Sequence, residues 1–146
     1  LYGLADSPVG LAAWLLDHGD GWGQPAAPVT SAVLGHTVGG HPAGDLTRDD
    51  VLDNITLYWL TNTAVSSARL YWENKLGLYN AADVSVPAAV SAFPGENYQA
   101  PRSWTERAYR NLIYYNKPDE GGHFAAWEQP RIFCAEVRAG LRPLRT

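Results

Sequence analysis

Lys117-Pro-Asp-Glu-Gly-Gly-His-Phe-Ala-Ala-Trp-Glu-Gln-Pro130 is the stretch of this 146-residue sequence from which the fold is predicted. It follows a short apolar run, Leu112-Ile-Tyr-Tyr115, whose length and bounding turn residues are typical of a buried strand. The Gly121-Gly122 pair permits backbone conformations that other residues avoid, and Pro130 opens an amphipathic helix. We therefore predict that His123 lies on a glycine-rich loop between a strand and the last helix. A histidine there can serve as a general base, or it can be a solvated polar residue.

A second predicted strand lies upstream and also leads into an acidic residue. Residues 84–93 are rich in alanine and β-branched side chains, with Pro87 near the start of the strand or at a sheet edge, and Pro94-Gly95-Glu96 follows. Ser103-Trp-Thr-Glu106 has the pattern of a capping box and predicts a helix through about Arg110. The order of strand, helix, strand and helix predicts an α/β fold with a parallel sheet.

Glu96 and His123 each come just after the carboxyl end of a predicted strand, and we expect the two strands to be neighbours. Ligands of open parallel sheets bind beyond these strand ends. A carboxylate that accepts a hydrogen bond from one imidazole nitrogen fixes the tautomer, so that the other nitrogen can take a proton. We favour a Glu96–His123 pair; the alternative is that Glu96 is a solvated acidic residue of a turn.

The first part of the chain predicts a helix and then a long irregular segment. Ser7 can cap a helix that begins at Pro8 and ends near Gly19. Residues 20–46 are rich in glycine and proline. They predict a long loop or insertion, with one irregular turn around residues 29–34.

The remaining pattern is helical apart from a predicted turn at residues 80–83. Thr47-Arg-Asp-Asp50 resembles a capping box, and the apolar pattern after it predicts two helices, or one kinked helix, that end before Gly77. In the last helix, three apolar residues at i, i+3 and i+7 predict a buried face: Cys134, Val137 and Leu141. Cys134 is thus expected to be a small buried residue rather than a nucleophile.

Composition and charge limit the class of protein. An apolar fraction of 46% and a charged fraction of 18% are ordinary for a soluble globular domain, and six Trp and eight Tyr suit an aromatic-lined pocket. Because the net charge is −4 and no basic run occurs, we expect no nucleic-acid partner. No apolar stretch approaches the roughly 18 residues of a membrane span. His36 and His41 lack a third ligand at suitable spacing, so we expect them at the surface and expect no metal.

Four motifs in the same order resemble the microsomal-type epoxide hydrolases of the α/β-hydrolase fold, the group that also contains the juvenile hormone epoxide hydrolases. The motifs are Asp6-Ser-Pro-Val-Gly-Leu-Ala-Ala-Trp14, Asn54-Ile-Thr-Leu-Tyr-Trp59, Phe93-Pro-Gly-Glu96 and Gly121-Gly-His-Phe-Ala-Ala-Trp-Glu-Gln-Pro130. The resemblance extends over nearly the whole chain apart from the Gly/Pro-rich segment. Four motifs in order are more specific than any one of them.

The resemblance implies catalytic roles for three residues. His123 matches the family's general base, and Glu96 matches the acid that orients it. Tyr71, in Arg69-Leu-Tyr-Trp-Glu-Asn74, matches one of two lid tyrosines that hydrogen-bond the epoxide oxygen. In such enzymes an aspartate attacks an epoxide carbon, and water activated by the histidine–carboxylate pair hydrolyses the resulting ester to a vicinal diol. No metal or organic cofactor is implied, and an aromatic-rich lid suits an apolar epoxide.

The chain departs from the family pattern because the nucleophilic aspartate, the oxyanion-hole segment and the other lid tyrosine are absent. It also contains no methionine. We therefore expect residues 1–79 to be the end of a helical lid, and residues 80–146 to be the carboxy-terminal part of the core, of a longer soluble and cytoplasmic protein. Its expected partners are an apolar epoxide and the missing part of the same polypeptide. The segment alone should not turn over substrate, and its exposed strand edge favours association, homo-oligomers included.

Two other hypotheses remain open at this point. A related α/β-hydrolase, such as a haloalkane dehalogenase or an esterase, would share the histidine–acid pair. Tyr71 argues against it, because those enzymes stabilise a halide or an oxyanion with other groups. A non-catalytic module that binds apolar ligands belongs to a different class. A Gly-x-Asp-x-Gly-like turn that carries the nucleophilic aspartate, encoded upstream in the open reading frame, would distinguish an enzyme from such a module.

Overall fold

The computed structural model describes residues 2–17, 26–74 and 84–145. They belong to two compact units, Leu1–Leu78 and Tyr79–Thr146. The predicted helix end near Gly19 and the predicted turn at residues 80–83 lie outside the described residues.

The described part of the first unit is helical. Its helices are α1 (Tyr2–Asp6), α2 (Pro8–Leu16), α3 (Ala26–Leu34), α4 (Arg48–Leu60) and α5 (Ala64–Glu73). The start of α2 is as predicted: the Ser7 side chain accepts a hydrogen bond from Gly10 N at 3.1 Å. Pro8 occupies the first helical position, where its missing N–H would have had no partner within the helix.

An apolar cluster lies where α1, α2, α4 and α5 meet. Its buried residues are Leu4, Leu11 and Ala64, and the partly buried Leu15, Tyr58 and Trp59 pack against them. The apolar face predicted for α4 is only partly buried. Val51 and Ile55 are buried, whereas Leu52 and Leu60 are exposed.

The prediction of an irregular segment over residues 20–46 is wrong for residues 26–34 and right for residues 35–46, which contain no helix or strand. α3 is a regular helix of nine residues, and most of its side chains are buried, namely Ala27, Pro28, Val29, Ser31 and Ala32. Ser31 also fixes the loop after the helix, since its Oγ donates to the His41 carbonyl and accepts from Val38 N, both at 2.8 Å. Small side chains allow α3 to pack on α4. This tertiary contact outweighs the glycine and proline content of the segment.

The two helices predicted after residue 47 are confirmed. In the capping box before α4, Thr47 Oγ1 accepts from Asp50 N at 3.2 Å and Asp50 Oδ2 accepts from Thr47 N at 2.9 Å. The helices are separated by residues 61–63, where Asn62 has a φ of 53°. α5 ends at Glu73, which forms an exposed ion pair with Arg69.

The second unit contains a parallel pair of strands and its covering helices. The elements are β1 (Ala88–Ser91), α6 (Arg102–Ala108), β2 (Leu112–Asn116), α7 (Ala125–Glu128), α8 (Pro130–Leu141) and a 3-10 turn at Arg142–Leu144. β1 and β2 pair in parallel, with Ser91 opposite Asn116 at their carboxyl ends. The predicted order and the parallel pairing are confirmed. In the described parts of both units, no helix is long and apolar enough to cross a membrane.

The first strand is shorter than the predicted range of residues 84–93. Pro87 directly precedes β1 and has no N–H to donate to a neighbouring strand. Upstream of it, Val84 forms only an isolated bridge with Tyr109.

The capping box predicted at Ser103 is also wrong. α6 begins at Arg102, its N-cap is Pro101, and no side chain caps it. Ser103 therefore lies inside the first turn. Glu106 accepts from Arg102 Nε at 2.8 Å, as an i, i+4 ion pair on the exposed surface.

α8 packs on both strands with a face other than the predicted one. Cys134, Val137 and Leu141 are exposed, so the prediction that Cys134 is buried is wrong. The buried position is Gly140, where an added Cβ would lie 2.7 Å from the Cβ of Ala89 in β1. The helix therefore approaches the strands closely at this glycine.

Candidate active site

The loops that follow β1 and β2 stay paired beyond the ends of the strands. Gly95 N donates to Gly121 O at 2.9 Å, and Gly95 forms an isolated parallel bridge with Gly122. Glu96 directly follows Gly95 in the chain, and His123 directly follows Gly122. The backbone pairing therefore brings their two side chains together.

Gly121 allows this close approach for two reasons. Its φ is +107°, a value that residues with a side chain rarely adopt. A Cβ at this position would also lie 2.7 Å from Cδ1 of Phe93. Since the Phe93 side chain is buried, it cannot move aside without losing apolar contact. Conformation and packing thus both require glycine before the histidine.

His123 and Glu96 form the predicted pair. Nδ1 of His123 lies 2.9 Å from Oε2 of Glu96 and 3.1 Å from its Oε1. An ionised carboxylate only accepts hydrogen bonds, so it favours the tautomer with the proton on Nδ1 and a free lone pair on Nε2. Oε1 of Glu96 also accepts from Asn97 N at 2.8 Å, which anchors the carboxylate to its own loop. This arrangement can take up a proton at Nε2.

The pair is accessible and lies beside aromatic rings. The side chain of His123 is 44% exposed and that of Glu96 30%. Phe124 meets the imidazole edge-on, with ring centroids 4.9 Å apart and an interplanar angle of 84°. Trp127 follows at 6.2 Å from Phe124. An apolar molecule and a water molecule can therefore both reach the imidazole.

Glu128 is a buried carboxyl group near this pair that the sequence analysis did not identify. Its side chain is 4% exposed, and its Oε1 accepts from Phe124 N at 2.9 Å. Burial raises the pKa of Glu128, and the charge of Glu96 adds to the rise. Backbone hydrogen bonds from Phe124 and Gly122 and the charge of His123 oppose it. The sequence signal was an acidic residue directly after the apolar run that follows the histidine.

Glu136 fixes the strand ends from which both loops start. Its carboxylate accepts from Ser91 Oγ at 2.7 Å, from Asn116 Nδ2 at 2.8 Å and from Tyr114 Oη at 3.1 Å. Burial, and then the hydrogen bond to Glu136 and its charge, raise the pKa of Tyr114. Ser91 and Asn116 are the last residues of their strands, so Glu136 ties α8 to both ends at once.

The third predicted residue, Tyr71, lies on α5 in the first unit, whereas Glu96 and His123 lie in the second. Its side chain is 77% exposed. His36 is exposed and His41 is half-buried. Within residues 2–17, 26–74 and 84–145, no cluster of three His, Cys, Asp or Glu side chains could hold a metal ion.

Comparison with curated proteins identifies relatives over nearly the whole chain. The chain is 46% identical, over 99% of its length, to a Stigmatella aurantiaca protein provisionally named an epoxide hydrolase. It is 36% identical to epoxide hydrolase 1 of Sus scrofa over 92% of its length, and 31% identical to the juvenile hormone epoxide hydrolase of Bombyx mori over 98%. It spans only 30%, 29% and 31% of the length of these three relatives. No family model matches the sequence.

Solved structures show the same relationship at the level of the fold. The crystal structure of juvenile hormone epoxide hydrolase from the silkworm Bombyx mori superposes with a TM-score of 0.74 and 32% identity, over 98% of this chain and 36% of that one. The Aspergillus niger epoxide hydrolase superposes with a TM-score of 0.61 and 25% identity, over 97% of this chain and 32% of that one.

Proposed function

This chain belongs to the epoxide hydrolases of the α/β-hydrolase fold, as its motifs predicted, and from this premise we propose that it supplies the general base, the orienting acid and one electrophilic tyrosine for epoxide hydrolysis. The observation that carries the proposal is the 2.9 Å contact between His123 Nδ1 and Glu96. The pair follows the carboxyl ends of two parallel strands, where open α/β sheets bind their ligands.

The proposed reaction has two steps. In the first, an aspartate outside these 146 residues attacks an epoxide carbon, the carbon–oxygen bond breaks, and a tyrosine gives its proton to the departing oxygen. In the second, water gives a proton to Nε2 of His123 and attacks the ester carbonyl. The imidazolium then gives that proton to the departing diol, and Glu96 stabilises the imidazolium in the interval between these two transfers. The second proton of the water stays on the freed carboxyl group of the aspartate and returns to the tyrosinate, which restores both groups.

Tyr71 is the residue that we propose donates to the epoxide oxygen. The alkoxide formed on ring opening is strongly basic, and a phenol with a pKa of about 10 can polarise and then protonate it. Tyr71 is exposed on α5, so its hydroxyl is accessible to a bound molecule. A second tyrosine outside the chain would share this role.

The substrate class that we propose for the complete protein is an epoxide on an apolar molecule. The names of the relatives refer to epoxides, and Phe124 and Trp127 provide apolar surface next to the base. We further propose that the remaining part of the same polypeptide completes the site and that the protein is cytoplasmic, which cell fractionation would check.

The test is to trap the ester in the complete polypeptide. His123→Gln keeps a polar side chain but removes the base, so the ester should form while its hydrolysis falls by roughly 10²–10⁴-fold. The variant is mixed with excess apolar epoxide and then quenched with acid. Mass spectrometry should detect a protein whose mass is increased by that of one substrate molecule. His36→Gln, an exposed histidine of the first unit, is the matched control and should turn over like the wild type.

If the His123→Gln variant formed diol at the parent rate, His123 would not be the general base. A wild-type protein that releases no diol from a panel of apolar epoxides would exclude epoxide hydrolysis itself. Release of halide from haloalkanes, or of acid from esters, would then support one of the related α/β-hydrolases. Binding of an apolar ligand without turnover would support the non-catalytic module.

A further inference from the structure

We propose that Glu128 is a positioning residue for His123: its buried side chain holds the backbone N–H directly after the imidazole, so that Nδ1 stays directed at Glu96. The geometric part stands on the structure of the second unit. The catalytic consequence rests on the proposed function.

The contact of Glu128 lies on the residue directly after the histidine. Oε1 accepts from Phe124 N at 2.9 Å, and Phe124 follows His123 directly. α7 has four residues and ends at Glu128, so the side chain reaches back over a single turn to the loop. This side chain thus fixes the peptide group that follows the base.

Before the imidazole, the histidine loop is held by its backbone pairing with Gly95, and after the imidazole Glu128 supplies a side-chain hydrogen bond to the backbone. Gly121 and Gly122 restrict the backbone less than any other residues would. The side chain of His123 is 44% exposed, so packing alone does not fix its direction. The Phe124 ring is in edge contact with the imidazole, and holding Phe124 N therefore also holds this ring in place. Without Glu128, a small rotation of the loop would direct Nδ1 away from Glu96.

The burial of Glu128 also indicates a specific role. Burying a carboxyl group costs free energy unless hydrogen bonds compensate for the water it loses. Glu136, which lies on α8, accepts hydrogen bonds from strand residues. Glu128 instead bonds to the loop that carries the base. A leucine would fill the same volume without this cost, so the carboxyl group is explained by the N–H group of Phe124 that it satisfies.

The experiment compares three substitutions in the complete polypeptide. Glu128→Leu keeps the volume and removes the acceptors, whereas Glu128→Gln keeps one acceptor oxygen for Phe124 N. Glu106→Leu is the control, because it removes a carboxylate of the second unit that pairs with Arg102 on the exposed surface of α6 and does not bond to the histidine loop. Two readouts are measured. They are the rates of ester formation and ester hydrolysis with an apolar epoxide, and the low-field proton resonance of Nδ1–H in the His123–Glu96 bond.

Glu128→Leu is expected to slow ester hydrolysis on the order of 10²-fold, the effect of misplacing a reacting group by about 1 Å, with ester formation unchanged. It is also expected to lose the Nδ1–H resonance. Glu128→Gln should recover the resonance and part of the hydrolysis rate. Glu106→Leu should leave both the resonance and the ratio of the two rates as in the wild type.

The proposal is overturned if Glu128→Leu keeps the resonance, or if it slows both steps equally, as a general loss of structure would. A wild-type protein that opens no epoxide refutes the proposed function, and the resonance alone then decides the role of Glu128. If Glu128→Leu does not fold, Glu128→Asp takes its place, since its shorter side chain withdraws the carboxylate from Phe124 N. Loss of the resonance in the aspartate variant but not in the glutamine variant supports the proposal, and its retention in both overturns it.

Discussion

The imidazole of His123 is held by hydrogen bonds more than by packing, since nearly half of its side chain is exposed. The pair with Glu96 was predictable because each residue follows a strand end, and parallel strands place these ends at one edge. Glu128 was not predictable in the same way. An acidic residue after an apolar run is ordinarily solvated, and only the folded loop buries it against Phe124 N.

Gly121 gives a test of the loop at the level of one residue. Gly121→Ala combines a φ of +107° with a Cβ placed 2.7 Å from the Phe93 ring, so we expect a loss of about 3 kcal/mol in the free energy of unfolding. Gly35→Ala is the matched control, because Gly35 also has a positive φ of +75° but no atom within 4 Å of the added Cβ. Strain alone should cost the control about 1 kcal/mol.

Urea denaturation of the two variants measures this difference. If Gly121→Ala and Gly35→Ala lose the same free energy, the contact with Phe93 is not what excludes a side chain at residue 121.

At the scale of helices and strands, the sequence predicted elements with strong local signals and missed those decided by tertiary contacts. Thr47 and Pro130 mark helix starts through capping and proline geometry, and both predictions are confirmed. α3 was missed because its small buried residues give no amphipathic pattern. On α8, Cys134 and its apolar neighbours suggested the buried face, but Glu136 faces the strands because three donors satisfy its carboxylate.

The capping box before α4 gives a test at this scale. Thr47→Ala removes an acceptor for Asp50 N and a hydroxyl donor to the Asp50 carboxylate, and should lower the free energy of unfolding by about 1 kcal/mol. Thr63→Ala is the control, since Thr63 precedes α5 without a side-chain cap. It should change the free energy by about 0.5 kcal/mol or less.

The effect of Thr47→Ala should also depend on pH. The side-chain and backbone hydrogen bonds from Thr47 lower the pKa of Asp50 below its ordinary value of 3.8. A carboxyl group with a lowered pKa in the folded state stabilises the fold above its unfolded pKa, and this contribution is lost as the pH falls through the folded pKa. The difference between wild type and variant should therefore be largest at neutral pH and should shrink below about pH 4. A difference that does not change with pH would mean that Asp50 takes no part in the cap.

At the scale of the whole molecule, the proposed catalytic groups are divided between two units. Tyr71 belongs to the first, and Glu96 and His123 belong to the second. Tyr71 was predicted to be catalytic only through the family resemblance of the motifs. An exposed tyrosine on an amphipathic helix has no local feature that marks it as catalytic. The chain spans about 30% of the length of its curated relatives, so the nucleophile is proposed to lie in the remainder.

This division predicts that substitutions in the two units affect different steps. Tyr71→Phe removes only the hydroxyl and should slow ester formation by roughly 10²-fold, because the departing oxygen loses one of its proton donors. Ester hydrolysis should be unchanged, which is the reverse of the result expected for His123→Gln. Tyr2→Phe, a comparably exposed tyrosine of the same unit, is the control and should match the wild type. Stopped-flow measurement of a single turnover separates the two steps.

A Tyr71→Phe variant that forms the ester at the parent rate would remove this tyrosine from the mechanism. The base in the second unit would then remain assigned, because the loss in His123→Gln is measured on the other step.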